Sequence, residues 1–162
     1  MNSLARLRTS SRAATSVAAV ALALALAGCS ATNELTTQGD YPASDGVQVT
    51  VGDLDLQNLL VLAAADGAPG TVLGGVTNGS DADGEVAIGL TEADATTVEV
   101  AAGTTTLLGP DQAVEVAIDA VPAAPGALVT LTVTAGTGES QTVQVPVLDG
   151  SQEQYADLVP ES

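Results

Sequence analysis

The chain has 162 residues, with 20 acidic and three basic side chains, no histidine, one cysteine, one methionine, two tyrosines and neither phenylalanine nor tryptophan. Its net charge of −17 understates the asymmetry: Arg6, Arg8 and Arg12 all precede Gly28, every Asp and Glu follows it, and the chain beyond Gly28 carries carboxylates with no side-chain cation. Such a surface repels nucleic acid and anionic lipid headgroups. The same inventory excludes most catalysis, because nucleophile activation uses a His or Lys base and phosphate or oxyanion clamps draw on Arg or Lys. No catalytic residue is assigned. The only enzymatic option left is a carboxylate-dependent hydrolase of the glycosidase kind.

The N-terminal segment carries those three arginines ahead of an uninterrupted apolar run over residues 17–27, built of Ala, Leu and Val. A charged start followed by a short apolar stretch is the layout of a secretory signal, and the run is too short to span a bilayer, which takes roughly 20 apolar residues. It ends in Leu26-Ala27-Gly28-Cys29, which resembles the lipobox of bacterial lipoproteins. That resemblance implies cleavage between Gly28 and Cys29, a diacylglyceryl group on the Cys29 sulfur, and anchoring at the outer face of the cytoplasmic membrane. Two acyl chains are enough for stable anchoring. Cys29 is the only cysteine, so no disulfide framework is open to the chain and its fold must rest on its core.

Residues 30–44 are rich in Thr, Asn, Gln, Gly, Asp and Pro and read as a flexible stalk behind the lipidated Cys29, about 50 Å long if fully extended. From residue 45 to 149 the pattern changes to short β-rich runs separated by Gly, Pro, Asp and Asn, the signature of a single all-β sandwich. Strands are predicted at 47–51, 56–64, 71–77, 85–90, 97–100, 104–108, 114–118, 128–135 and 141–147. Alternation is plainest in Val129-Thr130-Leu131-Thr132-Val133-Thr134 and in Val114-Glu115-Val116-Ala117-Ile118, each with one apolar face. Residues 59–65 have helical propensity, but their length and neighbours favour a buried strand. Turn chemistry sits at Asn78-Gly79, Asp83-Gly84, Gly109-Pro110-Asp111, Pro125-Gly126 and Gly136-Thr137-Gly138. The tail, residues 150–162, leaves the β pattern but keeps a small apolar face in Tyr155, Leu158 and Val159, suited to packing back on the sandwich or to docking a partner.

The densest acidic cluster is Asp81-Ala82-Asp83-Gly84-Glu85. Its Asp-X-Asp-Gly core shares oxygen ligands and a turn glycine with Ca²⁺ loops, which makes Asp81, Asp83 and Glu85 candidate Ca²⁺ ligands. The match is incomplete: Gly79 and Leu90 fall where the first ligand and the bidentate Glu of such a loop would stand, and a solvated hairpin turn is the expected reading. Asn78-Gly79-Ser80 has the form of a glycosylation sequon and is likewise expected to be a turn.

Four stretches, taken in order, are similar to the periplasmic copper chaperone family PCu(A)C, and specifically to actinobacterial lipoproteins related to it. They are the early strand over residues 47–62; Gly74-Gly75-Val76-Thr77-Asn78-Gly79-Ser80-Asp81-Ala82-Asp83; Val100-Ala101-Ala102-Gly103-Thr104; and Pro125-Gly126-Ala127-Leu128-Val129-Thr130-Leu131-Thr132-Val133, leading to Val143-Gln144-Val145-Pro146-Val147. The resemblance implies a cupredoxin-like or Ig-like β-sandwich in an exported protein. It also implies a His-X-Met copper pair around residues 112–120, and there the sequence departs: the only methionine is Met1 and no histidine exists. Soft Cu(I) takes thioether, thiolate or imidazole donors, so no copper cofactor is assigned.

The expected function is a membrane-anchored, non-catalytic accessory or binding lipoprotein with a protein or envelope partner and no nucleic acid. The alternative is an accessory role in copper trafficking through weak or partner-supplied ligands.

Overall fold

A computed structural model describes residues 44–160. The expected secretory segment, Gly28, Cys29 and all but the last residue of the expected stalk lie outside the described residues. Within them the protein is an all-β sandwich of nine strands: β1 Val47–Val51, β2 Leu54–Ala63, β3 Gly70–Asn78, β4 Gly84–Gly89, β5 Thr96–Val100, β6 Thr105–Leu108, β7 Val116–Ile118, β8 Leu128–Ala135 and β9 Ser140–Leu148. A short 3-10 turn at Glu92–Asp94 joins β4 to β5. Each strand overlaps one expected from alternation and turn chemistry. Residues 59–63, ambiguous on propensity, are strand.

One layer is built on β2 and β3, which pair antiparallel. Along the far edge of β2 lie β1, antiparallel, and then β9, parallel through Val61↔Val147 and Leu62↔Leu148. Along the far edge of β3 lie β6 and then β7, both antiparallel. The other layer runs β5-β4-β8-β9, antiparallel throughout. β9 therefore belongs to both layers, pairing with β8 over most of its length and with β2 at its end. The order β5-β4-β8-β9-β2-β3-β6 leaves the sandwich nearly closed, with β5 and β6 at its two margins.

Leu56, Leu59, Val61, Val72 and Val76 of the first layer meet Val86, Ile88, Val98, Leu131, Val133 and Val145 of the second, all fully buried. Aliphatic side chains each contribute about 1.5–3 kcal/mol on full burial, and here they do so without a single large ring in the inter-sheet core. Alternation along β8 places Val129, Leu131, Val133 and Ala135 inward, with Leu128, Thr130, Thr132 and Thr134 outward.

The run Leu59-Leu60-Val61-Leu62-Ala63 breaks that alternation, and every residue in it is buried. Leu59, Val61 and Ala63 face the main core. Leu60 and Leu62 face outward, where the tail covers them with Tyr155, assisted by Leu73, Leu148, Leu158 and Val159. The tail thus returns to the sandwich as a second small core, capped by a hydrogen bond from the Tyr155 hydroxyl to Asp45 Oδ2 at 2.9 Å.

β2 also carries a bulge. Its register shifts between Gln57 and Leu60, and Asn58 adopts φ 53 there. The Asn58 side chain accepts a hydrogen bond from Gly46 N–H at 2.9 Å. Gly46 lies so close that a Cβ would stand 2.4 Å from the Asn58 carbonyl carbon, so only glycine fits. The bulge lets β1 leave the edge of β2 and frees that edge for β9.

The segment between β3 and β4 corrects the expected hairpin. β3 pairs only with strands of the first layer and β4 only with strands of the second. Residues 79–83 therefore cross between sheets, and local Asn-Gly and Asp-Gly signals do not distinguish a crossing from a hairpin. β7 is shorter than the alternation of residues 114–118 suggests, because Val114 instead bridges in parallel to Leu108.

Tyr155 offers a test of the tail. Tyr155→Phe removes one partly buried hydrogen bond and is expected to cost about 1 kcal/mol, while Tyr155→Ala opens the second core and costs about 3 kcal/mol, both read from urea unfolding midpoints. Burial, and next the hydrogen bond to Asp45, raise the Tyr155 pKa above the ordinary phenol value. Its contribution is complete below a pH of about 10 and is lost as pH rises through the raised folded value. The melting temperature of the protein should fall in that alkaline window by a step that Tyr155→Phe lacks.

Candidate functional site: an acidic cleft at one pole

The chain enters the sandwich at Ser44, beside the tail, which follows β9. Because β1 runs away from that point and β9 runs back toward it, the β1–β2, β3–β4, β5–β6 and β8–β9 connections gather at the opposite pole. A cleft of about 830 Å³ opens there. Its apolar lining comes from Leu54, Val100 and Ala135, and Asp53, Asp83, Glu85 and Glu99 stand around it. Glu85 and Glu99 are directly opposed on β4 and β5, an arrangement of like charges that destabilises a sheet. No Lys, Arg or His exists among the described residues to compensate them. Asp53 and Asp83 reach the cleft from connections, where Asp is favoured, and Glu85 and Glu99 from exposed positions of β4 and β5.

The floor of the cleft is a polar hub centred on Asn78, which is only 1% exposed. Its Nδ2 donates to the carbonyls of Ala82 at 2.8 Å and Val100 at 3.0 Å. Its Oδ1 accepts from Ser80 N–H at 3.0 Å and Ser80 Oγ at 2.8 Å. The amide has two donors and two acceptor sites; both donors and one acceptor site are used, and the other acceptor site shares the Ser80 hydroxyl with Ala82 O, which lies 2.9 Å from it. Around it Asn78 N–H donates to Thr104 O, Gly103 N–H to Ser80 O, and Gly79 N–H to Asp53 O. Asn78, through its side chain and its backbone, thereby ties the β3–β4 and β5–β6 connections together, and the N–H of its neighbour Gly79 joins the β1–β2 connection to them. The Asn78 contact with Ser80 N–H is an Asx turn, and an Asn two residues before a Ser at a strand end is the signal that could have pointed to the hub.

The three candidate Ca²⁺ ligands fare differently from one another. Asp83 Oδ1 accepts from Ala102 N–H at 2.9 Å and so fastens the β5–β6 connection. Glu85 projects from β4 into the cleft opposite Glu99, and Asp81 is exposed on the crossing segment and is not part of the cleft lining. Among the described residues no three acidic, His or Cys side chains gather so as to hold a metal ion. The sequon asparagine is the buried hub residue, with no side-chain atom free for a glycosyl group.

The segment where the resemblance places a His-X-Met pair is β7. Val116 and Ile118 point into the core and Ala117 is exposed. A smaller cleft of about 380 Å³ lies beside it, against Leu90, Asp94 and Asp119. No His, Met or Cys occurs among the described residues. Nor is any helix among them long and apolar enough to cross a membrane.

The hub sets a measurable expectation. Asn78→Ala leaves the buried Val100 carbonyl and the partly buried Ser80 N–H short of their partner, while the Ala82 carbonyl keeps the Ser80 hydroxyl at 2.9 Å; at about 1–3 kcal/mol per buried unsatisfied group it should destabilise the protein by about 2 kcal/mol. A urea midpoint unchanged from that of the parent chain would refute the hub.

No family model matches the sequence, and no curated protein matches it. Solved structures do resemble the fold. The copper-bound PCuAC domain from PmoF2 shares 13% identity at a TM-score of 0.50, over 64% of this chain and 98% of that one. The apo PCuAC domain from PmoF1 shares 15% at 0.50, over 62% and 98%, and the apo PmoF2 PCuAC domain 12% at 0.51, over 65% and 98%. At these identities the likeness is one of architecture: the protein has an all-β sandwich fold of the PCuAC, cupredoxin-like type.

Proposed function

We propose that the protein is a membrane-anchored extracytoplasmic lipoprotein whose PCuAC-type sandwich serves as a non-catalytic accessory or binding module and carries no Cu(I) site of its own. The observation that carries this reading is the donor inventory on that fold: β7 offers Val116, Ala117 and Ile118, and no sulfur or imidazole side chain stands anywhere in the described sandwich. Carboxylates and carbonyls are hard donors, and the residues present do not fit a soft monovalent copper ion. The acidic cleft, at the pole opposite the point where the chain enters, is the surface such a module would present to a protein or envelope partner carrying positive charge. Anchoring rests on the lipobox-like Leu26-Ala27-Gly28-Cys29 behind its charged and apolar flanks. A second reading, in which the module assists copper handling by contacting a metal-bearing partner, is favoured by the architectural likeness to a copper-bound domain. It too requires no resident copper.

Titration of the mature protein in detergent with Cu(I) against a competing chelator should show no stoichiometric uptake; tight one-to-one binding would overturn the assignment. Anchoring is tested separately by Cys29→Ser. That chain should stay at precursor mass and lack the diacylglyceryl increment in whole-protein mass spectrometry. If Cys29→Ser were processed and membrane-retained like the parent, the lipoprotein assignment would fail.

A further inference from the structure

Asn78-Gly79 is the chain's only Asn-Gly step. In an open polypeptide this dipeptide is chemically labile. The Gly79 backbone nitrogen, unshielded by a side chain, loses its proton and attacks Asn78 Cγ; the bond from Cγ to Nδ2 breaks and ammonia departs. Water then opens the five-membered imide at one of its two carbonyls, to aspartate or isoaspartate. No oxidant or reductant is involved.

The hub at the floor of the cleft obstructs each requirement of that reaction. Gly79 N–H, the group that must become the nucleophile, donates to the Asp53 carbonyl at 3.2 Å. The Asn78 amide, which must swing toward it, is held by the Ala82 and Val100 carbonyls and by Ser80 N–H. Asn78 is the last residue of β3, paired with Leu54, and is buried from the water that would open the imide. The products are incompatible with the same site. An aspartate would turn an oxygen toward the Ala82 and Val100 carbonyls and bury a charge with no cation near it. An isoaspartate would insert a methylene into the backbone between the N–H groups that bond Thr104 and Asp53.

We propose that Asn78-Gly79 is a fold-gated deamidation site: a chain that stays folded keeps its hub, and a chain that opens loses the amide and with it the means to rebuild the pole. The gate makes unfolding progressively irreversible at one residue, independently of any partner the cleft binds.

The test uses the full chain, incubated folded in buffer and unfolded in urea, with peptide mass mapping of the amide-to-acid conversion at Asn78. Conversion should be at least about a hundredfold faster in urea, since the folded population opens only rarely. The converted chain, separated by its extra negative charge, should fail to regain native structure when urea is diluted. Gly79→Ala supplies the control. Gly79 does not adopt positive φ, and a Cβ there meets nothing nearer than the Asp53 carbonyl oxygen at 3.9 Å. That variant should fold like the parent, convert several-fold more slowly in urea and refold after the same treatment. The Asp-Gly steps at Asp45, Asp66, Asp83 and Asp149 are common to both chains and rearrange without change of mass. Equal conversion rates in the folded and unfolded chain, or a converted chain that refolds as fully as an untreated one, would overturn the proposal.

Discussion

The sandwich depends on the double pairing of β9. Through Leu128↔Pro146 to Thr134↔Ser140 it belongs to the layer of β8, and through Val61↔Val147 and Leu62↔Leu148 it belongs to the layer of β2. Two sheets that merely stack are held by side-chain packing alone. Two sheets that share a strand are also held by backbone hydrogen bonds, whose spacing fixes their mutual angle. That matters more here than in most domains of this size, because an aliphatic core without rings offers many small contacts and few anchoring ones. The Asn58 bulge makes the sharing geometrically feasible, by ending the reach of β1 along β2 where β9 takes over.

At the other end of the molecule the constraint is polar. Four connections come together at one pole, and three of them are tied through Asn78 and Gly79. With both donors of that amide engaged and Ser80 bonded to its oxygen, the floor of the cleft is firmly held, whereas the carboxylates above it are exposed, with no side-chain cation among the described residues. A firm base beneath a field of one sign suits selective attraction of opposite charge. The opposed pair Glu85 and Glu99 lowers the stability of the free protein, a cost that a cationic partner would relieve.

The strands were readable from the sequence because alternation and turn residues agree along most of the chain, as in β8, where valine and leucine alternate with threonine. What could not be read depends on long-range geometry. Asn78-Gly79 and Asp83-Gly84 announce a reversal without saying whether it stays in one sheet, and the structure uses them to cross between two. The continuous apolar run Leu59-Leu60-Val61-Leu62-Ala63 announces burial on both faces, but only the return of Tyr155 shows what covers the outer one. Of the acidic cluster, composition indicated the charge; it gave no hint that Asp83 would be occupied in holding Ala102 N–H. The lack of soft donors among the described residues needed no geometry at all, since an inventory of side chains sufficed.

Tyr155 is the only aromatic side chain among the described residues. Every near-ultraviolet signal from this part of the molecule therefore originates in the tail and its contact with Asp45, and none in the core between the sheets. Optically the sandwich is silent while its latch is not. Loss of that signal would report the tail lifting from Leu60 and Leu62, and a far-ultraviolet signal kept at the same time would show the sheets standing beneath it.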